Sequence, residues 1–150
     1  MYNRALVTLD GSELAEEVIP YAEDIARNMD CELILMRVAP PAHAVLEDGR
    51  MVSTVDAEVD RVRTELREYL EKVADVMRAK GFKVRTVVQF GEPAEEIVDY
   101  ARDNGVDLVA MSTHGRSGVS RWVYGSVADR VLRGASTPIL LIRSTGATHE

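Results

Sequence analysis

MSTHGRSGVSRWVYGSV, running from Met111 to Val127, decides how the rest of the chain is read. It follows Asp107-Leu108-Val109-Ala110-Met111, a short apolar run with the length of a buried strand. It carries Gly115, Gly118 and Gly125, and an apolar helical pattern begins at Ser126. A glycine-bearing loop between a strand and a helix exposes several backbone N–H groups together. The helix start adds a partial positive charge, so the combination suits an anion, most often a phosphate. The same glycines are also compatible with a long surface turn that binds nothing.

Working outward, the segments before and after this stretch alternate between strand and helix. Arg4 to Leu9 is apolar except at Thr8 and ends in Asp10-Gly11-Ser12, which predicts a central parallel strand covered on both faces. From Glu13 to Met29, Leu14, Val18, Ala22, Ile25 and Met29 recur at the spacing of one helical face. Ser12 suits its N-cap, and Pro20 should kink this helix or delay its regular part. Cys31 to Val38 predicts a second buried strand. Between about 40 and 55 no period is evident, and a mobile loop is expected there. Val55, Val59, Val62, Leu66, Tyr69, Val73 and Met77 then mark a long amphipathic helix ending at Lys80-Gly81.

Phe82 to Gln89 reads as a strand nearer a sheet edge, and Pro93 opens a helix with Ile97, Val98 and Ala101 on its buried stripe. After the glycine loop, a helix runs from Ser126 to Arg133, and Ser126 with Asp129 has the form of a capping box. A last strand covers Thr137 to Arg143, and 144–150 is expected to be a frayed tail. Five strands joined by helical crossovers predict a single α/β domain over 1–150. Its open parallel sheet has the order 3-2-1-4-5, with helices on both faces.

Composition narrows the class. The 150 residues carry 46% hydrophobic and 29% charged side chains, a globular balance. A net charge of −7 argues against a nucleic-acid partner, although Arg116, Arg121, Arg130 and Arg133 could form a local basic patch. Cys31 is the lone cysteine, which excludes an internal disulfide and fits a reducing cytoplasm. No leader pattern or membrane-length apolar run is evident, so a cytoplasmic location and no membrane partner are expected.

After His114-Gly115 come nine residues, RSGVSRWVY, and then Gly125-Ser126. This spacing resembles that of the universal stress protein family: Gly, two residues, Gly, nine residues, then Gly followed by Ser or Thr. Ser112 stands where the family has its first glycine. The resemblance covers nearly the whole chain, from Ala5-Leu6-Val7-Thr8-Leu9-Asp10-Gly11-Ser12 to Pro138-Ile139-Leu140-Leu141-Ile142. It implies a Rossmann-like fold and binding of ATP, or of AMP or ADP, with magnesium as the accompanying ion. The family holds members that bind ATP and members that do not. If Ser112 requires a positive φ it is strained; if φ is negative its hydroxyl is available.

In a 3-2-1-4-5 sheet, ligands enter between the first and fourth strands, beyond their carboxyl ends. Asp10-Gly11-Ser12 and 112–126 are the turns that follow those strands. By resemblance, Thr8, Asp10, Val38 and Met111 line the ribose and adenine side, while Ser112, Gly115, Gly125, Ser126 and Val127 face the phosphates, with Arg116 adding charge. Read without it, Asp10 is a turn or capping aspartate, and Val38 and Met111 are core residues. His114 falls among the nucleotide-binding positions, its imidazole read as structural because no Cys, Asp or Glu stands at zinc-like spacing. Trp122 is expected to anchor the loop. No Walker lysine, G-x-G-x-x-G pattern, receiver-type aspartate or nucleophile–base set occurs. The expectation is a regulatory nucleotide-binding module of the stress response with at most slow ATP hydrolysis. The alternative is a nucleotide-independent stress adaptor. Either is expected to form a homodimer through Pro138–Ile142.

Overall fold

The computed structural model describes residues 1–114 and 125–145. In chain order the elements are β1 (Arg4–Thr8), α1 (Glu13–Glu16), α2 (Ile19–Met29), β2 (Glu32–Ala39), β3 (Val45–Glu47) and β4 (Arg50–Ser53). They continue with α3 (Val55–Ala79), β5 (Val84–Phe90), α4 (Pro93–Asp103), β6 (Leu108–Ser112), α5 (Ser126–Gly134) and β7 (Ile139–Ile142). Five of these strands form a parallel sheet in the order β5-β2-β1-β6-β7. Counting only those five, this is the 3-2-1-4-5 order that the sequence predicts.

The near-continuous apolar strands divide their side chains between two cores with a period of two. Val7, Leu33, Leu35 and Leu108 turn to the face packed by α2 and α3. Leu6, Ile34, Met36, Val109 and Met111 turn to the face packed by α4 and α5, beneath Ile97, Ala101 and Val131. Helices on both faces hide β1, β2 and β6, which explains why those runs carry almost no polar residues.

Pro20 delays the first long helix instead of kinking it. The segment breaks into α1 and α2, with Pro20 in the first turn of α2, where its missing N–H has no carbonyl to serve. Ser12 caps α1, its hydroxyl accepting from Ala15 N at 3.1 Å.

Three expectations need correction. The irregular loop expected near 40–55 contains an antiparallel hairpin, β3–β4. Asp48 (φ 52°) and Gly49 (φ 77°) form its two-residue turn, the left-handed pair that hairpin twist favours. The capping box at Ser126 is absent: Gly125 is the N-cap and lacks a side chain, while the Asp129 carboxylate pairs with Arg133 at 3.2 Å. Ser126 is instead the first residue inside α5. Lastly, the tail does not fray at once, because Ser144 bonds to Thr113 and His114, and Thr145 N donates to Glu17 at 3.0 Å.

Candidate functional site

Strand pairing itself opens the cleft. β1 and β6 pair only as far as Val7 and Ala110. Beyond that point β1 stays with β2, Leu9 N donating to Met36 O at 3.0 Å. The end of β6 stays with β7, Thr113 N donating to Ile142 O at 2.8 Å. The two central strands therefore part at their carboxyl ends, as expected where the winding direction of a parallel sheet reverses. The resulting cavity measures about 300 Å³.

Thr8, Asp10, Val38, Met111, Ser112, His114, Gly125, Ser126 and Val127 all line it. Gly115 and Arg116, with Trp122, lie outside the described residues. The cleft also uses residues that sequence reasoning missed, including Met36, Pro93, Ile97 and Thr113. Met36 was legible in principle, since it stands two residues before Val38 in one strand and so shares its face. Pro93 and Ile97 come from α4, whose placement over the cleft no local pattern encodes.

Apolar and polar groups are segregated in the wall. Met36, Val38, Ile97 and Met111 make an apolar side, suited to a flat heterocycle. The polar side is built by turns. Asp10 Oδ1 accepts from Ser12 N at 2.9 Å and from Ser12 Oγ at 2.5 Å, so one carboxylate oxygen organises the β1–α1 turn. Asp10 is thus a turn aspartate that also faces the cleft. On the other face of the sheet, Tyr69 donates to Glu16 at 2.8 Å and braces α1. Burial, aided by the Glu16 carboxylate, pushes the Tyr69 hydroxyl well above its ordinary pKa, so that proton stays in place.

Gly125 closes the glycine loop. Its N–H donates to Thr113 O at 2.6 Å, and Asp129 N in turn donates to Gly125 O at 2.9 Å. This brings the first turn of α5, whose N–H groups at Ser126, Val127 and Ala128 have no partner within the helix, beside the end of β6. No lysine or arginine appears among the described residues of the lining. Arg130 and Arg133 of the expected basic patch are each paired, with Glu92 at 3.0 Å and Asp129 at 3.2 Å.

Ser112 resolves one alternative. Its φ is not positive, so serine there carries no left-handed strain. Its hydroxyl donates to Ala15 O at 3.2 Å and fastens α1 to β6. Ser112→Gly is therefore expected to destabilise the protein by about 1–2 kcal/mol, through the lost buried hydrogen bond and added chain entropy. Urea unfolding checks this; a gain in stability would mean that the serine is strained after all.

The universal stress protein family model matches residues 1–143. The chain belongs to that family. Universal stress protein MJ0531 of Methanocaldococcus jannaschii is 31% identical over 143 residues, spanning 95% of this chain and 83% of that one. The solved structure of MJ0577 from the same organism superimposes with a TM-score of 0.74 at 26% identity, covering 98% of this chain and 99% of its own. A universal stress protein crystallised in complex with cAMP superimposes with a TM-score of 0.71 at 21% identity, over 96% and 98% of the two chains. At that identity the likeness is one of fold.

As a universal stress protein the chain keeps Cys31 out of reach. Burial first, then the Asp107 charge, raises its thiol pKa and leaves it a poor nucleophile. Among the described residues no helix is long and apolar enough to cross a membrane, and no group of three or more His, Cys, Asp or Glu could hold a metal.

Proposed function

We propose that this universal stress protein binds an adenine nucleotide in the β1–β6 cleft and acts as a regulatory module in the cytoplasm. One observation carries the reading: an apolar wall of Met36, Val38, Ile97 and Met111 meets the first turn of α5 in a cavity of about 300 Å³. A heterocycle fits the first and a phosphate the second. The fold neighbour crystallised with cAMP supports an adenine ligand. Asp10 serves the ribose, and Ser126, Val127 and the glycines serve the phosphates. ATP is the ligand favoured, with AMP and ADP as its shorter relatives. Magnesium, where present, sits on the phosphates, since the described residues offer no metal cluster.

Asp10 Oδ1 is engaged by the Ser12 turn, and the described lining has no lysine or arginine to position a phosphate for transfer, so turnover is expected to be slow or absent. Calorimetric titration with ATP and magnesium, AMP and GTP tests the reading. Adenine nucleotides should bind and GTP should bind much more weakly. No heat with any adenine nucleotide at about 1 mM, the edge of useful affinity, would overturn it.

A second reading, a nucleotide-independent adaptor acting through protein surfaces, is favoured by the half-buried apolar edge strand β7. Both readings share a homodimer through Pro138–Ile142.

A further inference from the structure

The cleft has two banks, and the two residues that follow Arg143 reach both. One bank is the end of β6 with Thr113 and His114; the other is the Asp10-Gly11-Ser12 turn with α1, which adds Ala15 to the wall. Ser144 fastens to the first. Its N–H donates to Thr113 Oγ1 at 3.1 Å, its hydroxyl donates to His114 O at 3.1 Å, and the hydroxyl oxygen accepts from His114 N at 3.3 Å. Thr145 fastens to the second. Its N–H and hydroxyl donate to the two carboxylate oxygens of Glu17, at 3.0 and 3.2 Å. Adjacent residues thus tie the two walls together, yet neither stands among the described residues of the lining.

α1 needs such ties. It has four residues, too few for a helix to persist by itself in water. Its backbone bonds are long: Glu16 N to Ser12 O and Glu17 N to Leu14 O at 3.3 Å, and Val18 N to Ala15 O at 3.5 Å. Contacts from distant parts of the chain hold it instead. Ala15 O accepts from Ser112 Oγ at 3.2 Å, Glu16 accepts from the Tyr69 hydroxyl at 2.8 Å, and Glu17 accepts from Thr145. Three consecutive residues are therefore pinned in turn to β6, to α3 and to the tail. The first two pins come from within regular elements. The third comes from beyond the edge strand, and its bonds end on a carboxylate, which makes them the stronger, charge-assisted kind.

We propose that Ser144 and Thr145 form a strap that sets the spacing of the two banks, and so positions α1 and the Asp10 turn against a bound nucleotide. The inference rests on the nucleotide reading above and adds to it positioning residues that stand behind the cleft wall. The strap starts from a fixed point, because Thr113 N donates to Ile142 O at 2.8 Å where β7 ends. Glu17 is the residue through which it acts on α1. The sign of the expected effect separates positioning from charge. Glu17 is an anion, so removing it should favour a phosphate-bearing ligand on electrostatic grounds alone. A loss of affinity on its removal therefore comes from geometry.

Two measurements test it. Amide hydrogen exchange on the ligand-free protein compares the parent with Glu17→Ala. The Ser12 and Ala15 amides on one bank and the His114 amide on the other should exchange severalfold faster in the variant. Faster exchange confined to Thr145 would reduce the strap to an attached chain end and overturn the inference without reference to any ligand. Calorimetry then measures AMP binding to the parent, Glu17→Ala and Glu17→Gln. Glutamine can accept from Thr145 N–H and donate to its hydroxyl oxygen, so it keeps the tie and drops the charge. AMP affinity should fall about fivefold with alanine and stay within about twofold of the parent with glutamine. Unchanged or improved affinity with alanine would overturn this inference alone, as would a glutamine variant as weak as the alanine one. A parent that binds no adenine nucleotide would overturn the nucleotide reading, and this inference with it.

Discussion

Gly125→Ala is expected to weaken nucleotide binding by at least about tenfold and to destabilise the protein by about 1–3 kcal/mol, the usual cost of forcing atoms into a packed site. Conformational freedom is not the reason, since φ at Gly125 is −59°, a value open to any residue. The reason is distance. An added Cβ would lie 2.6 Å from Thr113 O and 3.6 Å from Thr113 C. That carbonyl cannot swing aside, because Thr113 is tied to β7 by its N–H to Ile142 O at 2.8 Å and by its hydroxyl, which accepts from Ser144 N at 3.1 Å. The start of α5 must retreat instead. Its retreat breaks the bond from Gly125 N to Thr113 O and carries the N–H groups of Ser126, Val127 and Ala128 away from the cleft. Urea unfolding and calorimetry on the one variant read both consequences. Unchanged affinity and an unchanged unfolding midpoint would show that the close approach is dispensable.

The elements that the sequence made legible are those governed by local pattern. β1, β2 and β6 are short apolar runs because both sheet faces are covered, and that burial left a periodicity to read. The cleft followed from topology, since the turns after the first and fourth strands had to meet if the order was right. What escaped was set by contacts distant in sequence. Ser126 and Asp129 satisfied the capping-box spacing, yet Thr113 holds the Gly125 N–H and moves the cap back by one residue. The β3–β4 hairpin escaped for another reason. Val45, Leu46, Met51 and Val52 are all exposed, so neither strand shows the alternation that a buried face imposes, and only Asp48-Gly49 marked the turn. The hold of Ser144 on Thr113 and His114 spans about thirty residues and has no sequence signature.

The β7 edge should be the site of the other large effect. β7 pairs with β6 alone among the described strands, which leaves its outer backbone groups at the sheet edge. All four of its residues are apolar and only partly buried. Leu140 and Ile142 pack toward the α2–α3 core, whereas Ile139 and Leu141 pack toward the α4–α5 core, so each face of the strand keeps exposed apolar surface at its rim. Natural edges are usually blocked by charge or proline, and here Pro138 and Arg143 stand only at the ends of the strand. In the proposed homodimer, two copies meeting antiparallel about a twofold axis would satisfy the open backbone groups and cover both rims together. If the proposed β7 dimer forms, Leu140→Lys and Leu141→Lys, one on each face, should each convert it to monomer at micromolar concentration. Each is also expected to lower subunit stability by about 1–3 kcal/mol, because a half-buried leucine is replaced by a charge that must reach water. Light scattering reads the assembly, and circular dichroism confirms that the variants remain folded. A parent that scatters as a monomer would remove the interface. A dimer indifferent to both lysines would place it elsewhere, with the exposed Leu46 and Met51 of the hairpin as the next apolar surface to mutate.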